Sequence, residues 1–186
     1  MMMRRRIDVL CVQEIRWKGD ESRWANGYQL VCTEGDGLKN GVAVILSPRW
    51  SGCLVEVERA NTRLMRVRLD VDGEMITIIS AYAPQIGLDK RTKNEFYAKV
   101  GEMMENVKVD EMLMIGGDWN GHVGKTAEIF GDGNVHGGKG YGRQNVEGLR
   151  LLEFAQQHNL SNRSLPTMGE IHKKMKDIAS GTQLQQ

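Results

Sequence analysis

Two kinds of hydrophobic spacing divide this chain. Over residues 7–82 the apolar positions fall in short runs or alternate with polar ones, whereas over residues 90–107 they return every three or four positions. The first pattern is that of strands and the second that of a helix with one buried stripe. Residues 7–12 read as a buried strand, 28–33 as a weaker one, and 41–46, closed by Ser47-Pro48, as a third. Residues 54–58 and 64–71 follow. In the latter, Leu64, Arg66, Arg68 and Asp70 alternate with Met65, Val67, Leu69 and Val71. Asp72-Gly73 then separates this run from residues 75–82, the strongest hairpin signal in the chain. In the helical stretch, Phe96, Val100, Met103, Met104 and Val107 share one stripe. A further strand is expected over 112–116 and a helix over 146–158, with Leu149, Leu152, Phe154 and Ala155 facing inward. Between them, residues 121–145 form a long loop, densest in glycine over 131–142, and loops of that length are usually functional or disordered. Strands in succession, then helix, strand and helix, describe an α/β sandwich better than a doubly wound parallel sheet.

Composition changes this picture little. A length of 186 residues makes one domain the default, with room for a substantial core. A net charge of +1 supplies no global attraction to nucleic acid, so any such affinity must be local. Basic residues cluster at Arg4 to Arg6, at Arg63, Arg66 and Arg68, and at Lys173, Lys174 and Lys176. Either solvation or phosphate binding accounts for them. Cys11, Cys32 and Cys53 have neither metal nor disulfide spacing and read as small core residues in a reducing compartment. Asp8 and Glu14 interrupt the first apolar run, so it makes a poor signal peptide and is too short to span a bilayer. A soluble intracellular chain is expected.

Candidate chemistry concentrates at the ends of the apolar runs. In Gly116-Gly117-Asp118-Trp119-Asn120-Gly121-His122, two glycines precede a carboxylate and a carboxamide two residues apart. If a strand leads into them, Asp118 and Asn120 project the same way, an acceptor beside a donor at the mouth of a sheet. A plain turn is the other reading. Glu14 ends the first strand, as a metal ligand or as a solvated loop residue. Tyr82, in Ser80-Ala81-Tyr82-Ala83-Pro84, could bond a phosphate or cap the core. His122 and His136 have no zinc-ligand spacing, and the 131–142 segment lacks the following Lys-Ser or Lys-Thr and the preceding strand of a P-loop. Trp17, Trp24, Trp50 and Trp119 could stack on bases, but packing accounts for each.

Taken in order, Val12-Gln13-Glu14, the run 41–46, Ser80 to Pro84, Gly116 to His122 and Asn145-Val146-Glu147-Gly148 resemble the endonuclease/exonuclease/phosphatase superfamily. Gln13 to Gly19, Tyr82 to Gln85 and Gly117 to Gly124 look most like the endonuclease domains of non-LTR retrotransposons and the craniofacial development protein 2-like sequences derived from them. The resemblance covers about residues 7–160. It implies a four-layer α/β fold, two mixed β-sheets face to face with helices outside, here incomplete at both ends. The function it implies is Mg²⁺-dependent (Mn²⁺ as a substitute) endonucleolytic cleavage of DNA phosphodiesters, with DNA as partner, no membrane, and a nuclear location.

Carried over by position, Glu14 binds the metal, Asp118 orients and deprotonates the attacking water, Asn120 holds Asp118 and the phosphate in register, and Tyr82 donates to a phosphate oxygen. Asn145 matches a family asparagine near the substrate. The residue types suit the task, since Mg²⁺ takes oxygen ligands, keeps several waters and needs only one or two carboxylates plus a substrate phosphate.

The chain also departs from the family. No strand bearing the family's first asparagine precedes residue 7, and after Leu160 the family's aspartate and its final Asp-His pair are not recognisable. His172, in Ile171-His172-Lys173-Lys174, follows no acidic residue and receives no catalytic role. Loss of one preorganised donor to a transition-state oxyanion costs roughly 2.7–4 kcal/mol. The expectation is therefore a partial domain over 1–160 followed by a polar tail, 161–186, truncated and weakly active or inactive. Two alternatives stand beside it: a non-catalytic remnant acting through protein contacts, and a phosphomonoesterase of the same superfamily.

Overall fold

The computed structural model describes residues 2–20, 22–35, 40–124, 135 and 142–160. A single helical turn, α1 (Met2–Arg5), leads into β1 (Val9–Gln13), followed by β2 (Arg23–Ala25), β3 (Tyr28–Cys32) and β4 (Val42–Leu46). After a 3-10 turn come β5 (Leu54–Asn61), β6 (Leu64–Val71), β7 (Glu74–Tyr82), α2 (Lys90–Glu105), β8 (Met112–Asp118) and α3 (Val146–Gln157). They form two four-stranded sheets, ordered β1-β4-β3-β2 and β5-β6-β7-β8. The first is antiparallel throughout its described strands. Among the described strands, mixed character resides in the second sheet alone, where β8 runs parallel to β7. The cause lies in the connections. Tight turns reverse the chain, whereas α2 carries it back over the sheet so that β8 enters in the same direction as β7.

The Asp72-Gly73 hairpin forms as expected. Both residues have positive φ, 56° and 90°, and Val71 pairs with Glu74 across a two-residue turn. The alternation in β6 sorts its side chains onto two faces. Met65, Val67, Leu69 and Val71 enter the core between the sheets, together with Val31, Val42, Val44, Leu46, Ile76 and Ile78. On the opposite face, Leu64, Ile79 and Ala81 meet Phe96, Val100 and Met103 of α2 and Phe154 of α3. A Leu- or Ile-sized side chain buried this fully contributes roughly 1.5–3 kcal/mol, so the inter-sheet layer dominates the stability.

Two of the three arginines in the 63–68 cluster are neither simply solvated nor free for phosphate. Arg66 bonds Glu56 and Glu58, and Arg68 bonds Glu56 and Glu111, whose carboxylate also accepts from Thr77 Oγ1 at 2.8 Å. Their guanidinium groups are neutralised on the helix-covered face of the second sheet. Cys11, Cys32 and Cys53 are free thiols, and burial pushes the Cys11 thiol up to about 11. Trp50 is fully buried, and Trp119 joins Phe96, Tyr97 and Phe154. Trp17 and Trp24 lie on the surface instead of packing, Trp17 beneath the guanidinium of Arg23. His136, His172, the lysines at 173, 174 and 176, and the tail 161–186 lie outside the described residues.

Candidate active site

Strand ends build the site. Glu14 follows β1, Tyr82 ends β7 and Asp118 ends β8, so the first comes from one sheet and the other two from its neighbour. In the parallel β7–β8 ladder, Tyr82 is paired with Asp118. The Tyr82 hydroxyl crosses between the sheets and donates to Glu14 Oε1 at 2.5 Å. Beyond β8 the chain turns back on itself: the Asn120 amide N–H donates to Asp118 Oδ1 at 2.9 Å, and Asn120 Nδ2 donates to the Ala83 carbonyl at 2.7 Å. Asn120 has a φ of 47°, a left-handed conformation that Asn tolerates better than most residues. Glu14, Tyr82, Asp118 and Asn120 are thus joined through one continuous set of backbone and side-chain contacts.

The two glycines before Asp118 are required by separate contacts. A Cβ on Gly116 would lie 2.8 Å from Cys11 Sγ, at the point where β8 approaches β1 of the other sheet. At Gly117, with φ 149°, it would lie 1.8 Å from the Ala81 carbonyl oxygen. The first glycine lets the sheets close together, and the second lets the backbone turn against its neighbour. Asn145 meanwhile caps α3: its Oδ1 accepts from the Gly148 amide at 2.8 Å and from the His122 amide at 3.0 Å. It ties the helix to the segment immediately after Asn120.

Arg63, in the turn between β5 and β6, went undistinguished within its basic run. Its guanidinium carbon lies 5.0 Å from the centroid of the Tyr82 ring, and Nη1 donates to the Tyr82 carbonyl at 3.3 Å. A lone arginine beside arginines three and five positions away carries no separate signal, and only their ion pairing distinguishes them.

Electrostatics set the protonation states. Tyr82's hydrogen bond, with help from Arg16, holds the Glu14 carboxyl below the usual carboxylate range. Burial, and then the bond to Glu14, pushes the Tyr82 phenol up, so it remains a donor at neutral pH. An ionised oxygen at the open end of a sheet suits a hard cation such as Mg²⁺ that retains most of its waters. No group of three or more His, Cys, Asp or Glu able to hold a metal occurs among the described residues. Among the described residues the donor set would therefore suit a hydrated ion held by the Glu14 carboxylate, and it forms no closed protein cage.

Comparison with known proteins agrees with this architecture. No protein-family model matches the chain. Craniofacial development protein 2 of Bos taurus is 32% identical over 160 residues, covering 86% of this chain and 26% of the relative. The chain thus spans about a quarter of the length of that relative. Among solved structures, the AP endonuclease LMAP of Leishmania major superposes with a TM-score of 0.56 at 17% identity, over 85% of this chain and 59% of the other. The endonuclease domain of TRAS1, a telomere-specific non-LTR retrotransposon, gives 0.54 at 14% identity, over 84% and 62%. Both the fold and the relatives match the resemblance carried by the motifs around Glu14, Tyr82 and Asp118.

Proposed function

We propose, for a chain that carries the endonuclease/exonuclease/phosphatase fold, that the ends of β1, β7 and β8 form a metal-dependent phosphodiesterase site acting on DNA. The supporting observation is the Tyr82–Glu14 hydrogen bond, which brings residues of the two sheets together beside Asp118 and Asn120. Glu14 would hold the divalent ion, Mg²⁺ or Mn²⁺, which when bound supplies charge neutralisation at a phosphoryl oxygen. Asp118, with one oxygen occupied by the Asn120 amide, uses the other to orient a water and take its proton as that water attacks phosphorus. The P–O bond opposite the attack breaks, and the leaving alkoxide oxygen takes a proton from solvent. Asn120, braced on Ala83 through one amide proton, offers the other to a phosphoryl oxygen. Tyr82, a neutral donor, would turn its single O–H from Glu14 Oε1 to the phosphate when substrate is bound. Asn145 contributes by fixing the backbone at His122 beside the substrate.

The structures sharing this fold include two named as endonucleases, one of them from a non-LTR retrotransposon. On that fold we take DNA as the substrate, a retrotransposon-derived lineage and, for a chain acting on DNA, a nuclear location. Among the described residues no helix is long and apolar enough to cross a membrane. Without a recognisable counterpart of the family's final Asp-His pair, turnover should be weak, and the same departure favours the second reading, a non-catalytic remnant. Incubation of the chain with supercoiled plasmid in Mg²⁺, in Mn²⁺ and in EDTA separates the two. Slow nicking in either metal that EDTA and Asp118→Ala both abolish supports the nuclease. Cutting that survives Asp118→Ala, or none in either metal, rejects it. Phosphate release from a monoester without plasmid nicking would move the assignment to the phosphomonoesterase branch.

A further inference from the structure

Glu14 already has a cation. Arg16 Nη2 lies 3.0 Å from its Oε2, while Tyr82 holds Oε1, so both carboxylate oxygens are engaged. The pair lies in the open: the Arg16 and Glu14 side chains are 59% and 43% exposed. Its geometry is built into the backbone. Glu14 and Arg16 both have positive φ, 56° and 49°, an uncommon conformation for residues other than glycine, at the two flanks of Ile15. The segment is anchored to the start of β4, with the Ile15 amide donating to the Gly41 carbonyl and the Arg16 amide to the Asn40 carbonyl. A Cβ on Gly41 would lie 2.8 Å from Ile15 Cγ1, so the close approach depends on that glycine.

We infer that Arg16 is a resident counter-cation whose guanidinium competes with a divalent metal ion for Glu14 and thereby sets the metal affinity of the site. The inference rests on the reading of Glu14 as metal ligand. A guanidinium and a hydrated divalent ion cannot share Oε2, and their like charges repel across the few ångströms between them. Because the ion pair is exposed, its net stabilisation is small and Arg16 can swing into solvent at little cost. Metal entry then exchanges one cation for another. Arginine remains charged at every accessible pH, so the competition does not relax by deprotonation.

The test is a Mn²⁺ titration of the whole chain followed by electron paramagnetic resonance, which counts free ion and needs no turnover. Four proteins are compared: the unaltered chain, Glu14→Gln, Arg16→Gln and Arg16→Lys. Arg16→Gln should bind Mn²⁺ about three- to tenfold more tightly, the change expected for removing one charge at this distance in a wet environment. Arg16→Lys, which keeps the charge but loses the planar fork, should fall between the two. Glu14→Gln should abolish the site. If Arg16→Gln leaves the affinity unchanged or weakens it while Glu14→Gln abolishes binding, the competition is disproved and the metal assignment stands. If Glu14→Gln binds as the unaltered chain does, both fail. Far-ultraviolet circular dichroism establishes that each variant is folded, and the exposed position of Arg16 makes its substitutions structurally mild.

Discussion

Arg63 covers the ring of Tyr82, its guanidinium carbon 5.0 Å from the ring centroid and its Nη1 hydrogen-bonded to the Tyr82 backbone carbonyl. One side chain thus holds both the ring and the strand end that carries it. It also opposes the burial and the Glu14 bond that push the phenol up, since its charge favours the phenolate. Arg63→Ala should raise the Tyr82 pKa further, read from the ring carbon shifts of labelled tyrosine. It should also slow nicking by about tenfold, equivalent to about 1.4 kcal/mol of transition-state stabilisation. An unchanged rate in a folded variant would remove Arg63 from the site.

The glycine pair makes a prediction about stability alone. Gly117→Ala should lose more than about 3 kcal/mol or fail to fold, because its Cβ would lie against an immovable carbonyl. Gly116→Ala meets a side chain instead and should cost about 1–3 kcal/mol. Cys11→Ala in the same chain should recover part of that, because it removes the sulfur while leaving Cβ 3.3 Å away. Urea unfolding of the double-mutant cycle reads the coupling, and additive effects would mean that the sheets do not meet there.

Asn145 distinguishes capping from direct substrate contact. Asn145→Ala should cost about 1 kcal/mol of stability through loss of the α3 cap. Asn145→Ser or Asn145→Asp, which cap as well, should recover most of it. If these variants restore stability but not cleavage, the amide itself meets the substrate.

Acid should weaken the Arg68–Glu111 pair in a defined window. The Arg68 hydrogen bond holds the Glu111 carboxyl below its ordinary value near 4.5, so its folded form binds its proton less readily than its unfolded form. Its contribution is therefore complete above about pH 4.5 and falls away as the pH drops through the lower folded value. Glu111→Gln should cost about 2 kcal/mol at neutral pH, and its deficit should shrink on acidification through that range. Urea midpoints measured against pH give the comparison, and a deficit independent of pH would refute the assignment.

Much of the architecture was legible because hydrophobic alternation and turn chemistry act over short distances. Leu64–Val71 matches the expected strand, and Asp72-Gly73 sets the register of β6 against β7. The three-residue β2, Arg23–Ala25, escaped because all its positions are exposed and it carries no apolar alternation. Its turn was the clue: Asn26-Gly27, with φ 52° and 80°, joins it to β3 through the same kind of hairpin. Strand β5 runs three residues beyond the expected end at Glu58, since pairing with β6 continues past the apolar stretch to Asn61. Strand β8 likewise continues through both glycines to Asp118, held by its ladder with β7. Trp17 and Trp24 could not be told from Trp50 by residue type alone. Exposure follows from strand order, which no local window contains.

Since one acid of the cleft hangs from one sheet and the other from its neighbour, the gap between them is governed by how closely the two β-layers lie. The bare hydrogen at position 116 faces the thiol of Cys11 with no room for a further carbon. An added methyl there would be a wedge whose effect reaches the proposed site without touching Glu14, Tyr82, Asp118 or Asn120. Graded spacers at this one junction would show how far the cleft can be opened before its two halves stop working together.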